Sequence, residues 1–118
     1  MERLFSYGTL QQENVQRANL GRVLEGERAV LQGYVLSEVK IEDKGVIAKS
    51  GKQYHPIVVR TGNQTDEVTG HCYWLSTEEL KQADSYEVAE YTRIKAKTKD
   101  GQACWIYAAS KEQKMQSN

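Results

Sequence analysis

The sequence predicts an α+β fold with a mostly antiparallel, strongly bent sheet. Strand-like segments outnumber helical ones, and the helices fall between strands at irregular spacing. Gly26 and Gly33 interrupt a long strand-like run, where glycine marks a bulge or a sharp bend. At 118 residues the chain has the length for one domain around a single core. We assign residues 1–110 to that domain and 111–118 to a polar tail.

Composition narrows the function classes. Apolar residues make up 39% and charged residues 27%, as in a globular chain rather than a disordered one. Sixteen Lys and Arg balance sixteen Asp and Glu, so no bulk field draws nucleic acid or an anionic membrane. No apolar run approaches a membrane span, and the N-terminus lacks the apolar segment and cleavage pattern of a secretory signal. Cys72 and Cys104 have no CxxC spacing and are too few for a disulfide scaffold. They read as buried free thiols in a reducing cytoplasm, with pairing across neighbouring strands as the lesser alternative.

The elements follow in order. Arg3 to Tyr7 is a strand with Leu4 and Phe5 as its apolar content. Gln12 to Leu20 is a short helix with Val15, Ala18 and Asn19 on one side, stopped by Gly21. Val23 to Lys40 is one long bent strand or two successive ones. Glu42 to Tyr54 is polar and reads as a loop, with room for a short strand at Val46-Ile47-Ala48. Pro56, the single proline, opens an edge strand. Thr61 to Gln64 is a turn, and Glu67 to Leu75 the next strand. Ser76 with Glu79 three residues on is a capping box, and the helix it starts carries Leu80, Ala83 and Glu87 on one side. Tyr91 to Thr98 and Ala103 to Ala109 are strands joined by the hairpin signal Asp100-Gly101.

Few residues offer chemistry. His71 and Cys72 are neighbours in a strand, so they point to opposite faces and make no dyad. Two His and two Cys without ligand spacing predict no metal site, and no phosphate loop or dinucleotide fingerprint is present. Arg93, Lys95, Lys97 and Lys99 alternate along one strand and read as a solvated face. A barrel binding single-stranded nucleic acid is disfavoured, because the aromatics do not line up with these cations. Two stretches remain. Tyr7-Gly8-Thr9-Leu10 is a strand running into a glycine turn, whose amides would form an anion or oxyanion receptor. Glu87 ends an amphipathic helix turned inward, where an apolar setting raises a carboxyl pKa. Taken singly, each is better read as a plain turn and a surface glutamate.

Together they resemble a known family. Tyr7-Gly8-Thr9-Leu10, Val68-Thr69-Gly70, Asp84-Ser85-Tyr86-Glu87 and Tyr91-Thr92-Arg93 are similar, in order and spacing, to the motifs of the γ-glutamylcyclotransferase-like group, which includes the AIG2-like and γ-glutamylamine cyclotransferase proteins. The likeness runs from Phe5 to Tyr107. It implies a small mixed, mostly antiparallel β-barrel with short flanking helices. It also implies a cofactor-independent, cyclising acyltransferase or lyase releasing 5-oxoproline from a γ-glutamyl amine or amino acid. Glu87 would be the acid/base, and Tyr7, Gly8, Thr9, Leu10 and Tyr91 would bind substrate, without a metal. The expected partner is that small molecule alone, with no nucleic acid and no membrane. Thr9 stands where many relatives have Ser, and Val88 where they have a smaller residue, which narrows the pocket mouth. Alternation puts Tyr91 on the face of Arg93, Lys95 and Lys97, which reads as the outer face. The alternative is a binding module on the same scaffold that holds a glutamyl-like ligand without turnover.

Overall fold

The computed structural model describes residues 1–51, 53–87 and 90–109, the side chains of 49 and 50 excepted. The polar tail at 111–118 and Val88 lie outside them. The strands are β1 (Glu2–Ser6), β2 (Glu25–Gln32), β3 (Tyr34–Lys40), β4 (Tyr54–Arg60), β5 (Glu67–Leu75), β6 (Tyr91–Lys97) and β7 (Ala103–Ala109). The helices are α1 (Glu13–Leu20), α2 (Lys44–Ser50) and α3 (Thr77–Tyr86), with a 3₁₀ turn at Thr9–Gln11.

All seven strands form one curled sheet. Five follow each other around the curl in the order β2-β5-β1-β7-β6. Its ends meet where Leu31 bridges Thr98 and the Lys99 amide donates to the Val30 carbonyl at 2.7 Å. The β7 strand gives one edge to β6. Its other edge is shared, in parallel pairings, by β1 at Trp105 and by β4 at Ala108. The β3–β4 hairpin branches from the curl at that point. This is the mixed, mostly antiparallel barrel with few short helices expected from the sequence.

Alternation along β1 fills two cores. Phe5 points inward with Leu31, Tyr34, Val58, Val68, Cys72, Cys104 and Ile106. Leu4 points outward, with Leu24, Tyr73 and Leu75, against Leu80 of α3. Both cysteines are buried free thiols in the inner cluster.

Local signals explain most element ends. Gly33 (φ 86°) divides the Val23–Lys40 run, and the chain changes partner there from β5 to β4. Gly21 (φ 77°) closes α1, and α3 starts with both hydrogen bonds of the Ser76/Glu79 capping box. The 42–54 segment departs from expectation. It is not a loop with a strand but contains α2, capped at its start by Asp43, whose carboxylate accepts the amides of Gly45 and Val46. Pro56 does not open its strand, which begins two residues earlier at Tyr54. The last hairpin is wider than two residues: Thr98 donates to Gln102 at 2.9 Å across a three-residue loop, with Gly101 left-handed at φ 86°. On α1 the buried residue is Gln16, whereas Ala18 is exposed.

Gly70 sets how closely β5 meets the end of β1. A Cβ there would strike the Ser6 carbonyl and sit 2.8 Å from the Phe5 ring. Only a bare Cα lets β5 press against the strand end that delivers Tyr7 and Gly8. Gly70→Ala should cost about 1–3 kcal/mol by overpacking. Urea unfolding would read this as a lowered midpoint with unchanged slope.

Candidate active site

The end of β1, the 3₁₀ turn, α1, α2, β4, the C-terminus of α3, β6 and β7 surround a cavity of about 240 Å³. Its wall includes Tyr7, Gly8, Thr9, Leu10, Glu87 and Tyr91, so every candidate residue from both sequence stretches lines one space.

The turn is built to present its amides. The Gly8 carbonyl accepts from the Gln11 amide at 3.2 Å and from Gln11 Nε2 at 3.2 Å. The Thr9 carbonyl accepts from the Gln12 amide at 2.9 Å, and the Leu10 carbonyl from Gln16 Nε2 at 2.8 Å. Carbonyl and N–H point opposite ways in a trans peptide, so tying down the carbonyls orients the amides. No hydrogen bond among the described residues engages the amides of Thr9 and Leu10. Gly8 has φ −126°, a value open to any residue, and a Cβ on it would meet nothing within 4 Å. Its use is therefore space beside the cavity, not the unusual backbone angle expected of a glycine turn.

Glu87 follows the last residue of α3 in extended conformation, φ −83° and ψ 144°. One side of the residue is open to solvent. The carboxyl has no hydrogen-bond or ion-pair partner among the described residues. Burial first, and then the negative Asp84, push its pKa from the ordinary 4.5 up to about 7. Four tyrosines share the wall, of which Tyr86 is exposed. The other three have their hydroxyl protons committed: Tyr7 to the Tyr107 carbonyl at 2.5 Å, Tyr91 to the Pro56 carbonyl at 2.7 Å, and Tyr107 to Asp84 Oδ1 at 2.7 Å. Burial raises all three phenol pKa values, so the hydroxyls stay protonated.

Tyr91 thus faces the cavity rather than bulk solvent. Alternation does put it on the face of Arg93, but α3 covers that face. Arg93 makes a bidentate pair with Asp84, Nε at 2.7 Å and Nη2 at 2.9 Å, and its guanidinium lies 4.3 Å from the centre of the Trp105 ring. Lys95 also lies over Trp105 but is exposed, as are Lys97 and Lys99, so the stripe is solvated from Lys95 onward.

Two supporting side chains carry no signature in the sequence. Gln16 is 2% exposed and joins Leu10 to the Leu24 amide, which donates to its Oε1 at 2.8 Å. Gln11 Oε1 meets His71 Nδ1 at 2.8 Å. Glutamine belongs to no motif here, and its only signal is a polar residue on the buried side of a short helix. Among the described residues no group of three or more His, Cys, Asp or Glu is placed to hold a metal ion. No helix there is long and apolar enough to cross a membrane.

Residues 4–118 match the model of a family described as γ-glutamyl cyclotransferase, AIG2-like. No curated protein matches the sequence. Among solved structures, a protein from Arabidopsis thaliana is 22% identical, with a TM-score of 0.68 over 94% of this chain and 70% of that one. A γ-glutamyl cyclotransferase is 17% identical, with a TM-score of 0.67 over 92% of this chain and 66% of that one. An uncharacterized human protein is 18% identical, with a TM-score of 0.62 and the same coverages, 92% and 66%. This chain spans about two thirds of the length of these neighbours. At such identities the likeness is one of fold.

The Glu87 setting gives stability a pH dependence. Between the ordinary 4.5 and about 7 the native state keeps a proton that the unfolded chain has released. Stability from this group therefore falls as pH rises through that window. Glu87→Gln removes the effect, so its melting temperature relative to wild type should be higher at pH 8 than at pH 4.5. Thermal melts at the two values test this.

Proposed function

The chain belongs to the γ-glutamyl cyclotransferase, AIG2-like family, and we propose that it releases 5-oxoproline from a γ-glutamyl amine or amino acid, with Glu87 as the acid/base. The observation that carries this reading is the Glu87 carboxyl, raised by burial to a pKa of about 7 and without a partner among the described residues, in the same cavity as the Thr9 and Leu10 amides, which no hydrogen bond among those residues engages.

The reaction joins two parts of one molecule, so the enzyme mainly has to hold a folded conformer. The α-nitrogen enters as an ammonium. It gives a proton to the Glu87 carboxylate and attacks the γ-carbonyl carbon. The carbonyl oxygen becomes an oxyanion, which the Thr9 and Leu10 amides are free to bind. Tyr7, Tyr91 and Tyr107 have their hydroxyl protons committed elsewhere, so their phenol oxygens serve as acceptors for the α-ammonium, while the Thr9 and Leu10 amides are donors with no other partner among the described residues. Glu87 passes its proton to the leaving nitrogen. As the C–N bond breaks, Glu87 ferries a second proton along the same path. The lactam keeps one hydrogen on nitrogen, the amine departs protonated, and Glu87 ends as it began. A carboxyl with pKa near the working pH suits both halves of this cycle.

A panel of γ-glutamyl amino acids, glutathione and γ-glutamylamines, assayed for 5-oxoproline, tests the reading. Wild type should turn over at least one of them, and Glu87→Gln should lose about 10²- to 10⁴-fold in kcat while still binding it. Equal rates in both proteins would remove Glu87 from the chemistry. Binding without turnover by wild type would support the non-catalytic binding module instead.

The roles of the carboxyl and the amides have two further consequences. The kcat/KM of wild type should rise with pH through an apparent pKa near 7, as the base form appears. Gly8→Val should keep its fold, since a Cβ meets open space, but raise KM by crowding the approach to the amides. Calorimetry and steady-state kinetics separate the two effects.

A further inference from the structure

The mechanism uses Glu87 but leaves Asp84 and Arg93 without a task. We propose that Asp84, clamped by Arg93 and Tyr107, is a positioning residue: it fixes the end of α3 from which Glu87 departs and sets the charge beside the Glu87 carboxyl. This rests on the reading of Glu87 as the acid/base of the cavity.

Three elements converge on one carboxylate. Arg93 of β6 grips both oxygens of Asp84, at 2.7 and 2.9 Å. Tyr107 of β7 donates to Oδ1 at 2.7 Å. The Asp84 backbone carbonyl accepts the Glu87 amide at 3.2 Å, in the last turn before the chain becomes extended. Thus the residue that two strands hold by its side chain holds Glu87 by its main chain. Arg93 cannot swing away, because its guanidinium rests on Trp105, whose indole N–H donates to Glu2 at 3.0 Å. Tyr107 is itself tied to the substrate side, since its carbonyl accepts the Tyr7 hydroxyl.

An ordinary half-exposed ion pair contributes little; Arg93 and Asp84 keep 21% and 36% of their side-chain surface exposed. What sets this one apart is its location. Asp84 is negative and opposes ionisation of Glu87, while Arg93 holds Asp84 ionised and places a charge of the opposite sign against it. Among the described residues, the other titratable groups around Glu87 are Tyr7 from the end of β1, His55 of β4, Tyr86 beside it, Tyr91 of β6 and Tyr107 of β7, with Glu90 next to Tyr91. Arg93 is the cation bound to the acid that bears on Glu87. Removing either member of the pair should therefore move Glu87 in opposite directions.

The test is the titration of the Glu87 carboxyl, followed by carbon-13 NMR in the ligand-free protein, with Glu87→Gln used to assign the signal. Asp84→Asn keeps the shape and removes the negative charge, so the midpoint should move to lower pH. Arg93→Gln leaves Asp84 uncompensated, so the midpoint should move to higher pH. Where a γ-glutamyl compound is turned over, the acid limb of kcat/KM should move the same way in each variant. A purely structural clamp would lower the melting temperature and leave the titration in place. An unmoved midpoint in whichever variant folds overturns the proposal. Shifted midpoints in a protein that turns over no γ-glutamyl compound would retain the proposal and reject the cyclotransferase chemistry alone.

Discussion

A carboxylate with no counter-ion among the described residues, set among tyrosines, is the constraint around which this molecule is arranged. Solvation of such a group is costly to lose, and proteins ordinarily pair it or turn it outward. Here the neighbouring acid, Asp84, takes the cation, and Glu87 is left with a raised pKa. Two carboxyls three residues apart are thereby driven in opposite directions by their surroundings: Asp84 is kept ionised by Arg93 and Tyr107, while Glu87 hovers near neutrality. Separation of that kind marks acid–base sites more often than structural ones.

The rest of the fold serves to hold that group still. At its N-terminus α3 is fixed by the capping box, by Arg22 gripping Glu79 at 2.7 and 2.8 Å, and by Thr77 donating to Glu2 at 3.2 Å. Glu2 also receives the Trp105 indole, and Trp105 supports Arg93. The two ends of the helix are thus linked through β1 and β7. Across the cavity, Gln11 and Gln16 tie down the carbonyls of the turn after β1. The barrel gives these two supports a common frame, because β1 and β7 are neighbours in the sheet.

Much of this was legible in the residues. Gly21, Gly33 and the Ser76/Glu79 box act locally, through backbone angle or a bond three residues away, so they mark element ends without tertiary context. The helix at Lys44–Ser50 shows the limit. Its signals, Asp43 before and Gly51 after, were present, but short length and polar flanks gave no amphipathic period to join them. Tyr91 shows a second limit. Period-two alternation says which side chains share a face, not what covers that face; only the packing of α3 through Asp84 turns the β6 stripe into a cavity wall. Gln16 shows a third. A buried amide is recognisable only once the carbonyl and N–H that it satisfies have been brought together from Leu10 and Leu24.

If the site works as proposed, one carboxyl and one pair of amides act on the same five-membered ring. A crystal structure with 5-oxoproline bound addresses this most directly. The account predicts the lactam oxygen within hydrogen-bond distance of the Thr9 and Leu10 amides, with the ring nitrogen turned to the Glu87 carboxyl. Product seated elsewhere on the molecule, or in this cavity with its carbonyl away from those amides, would contradict it.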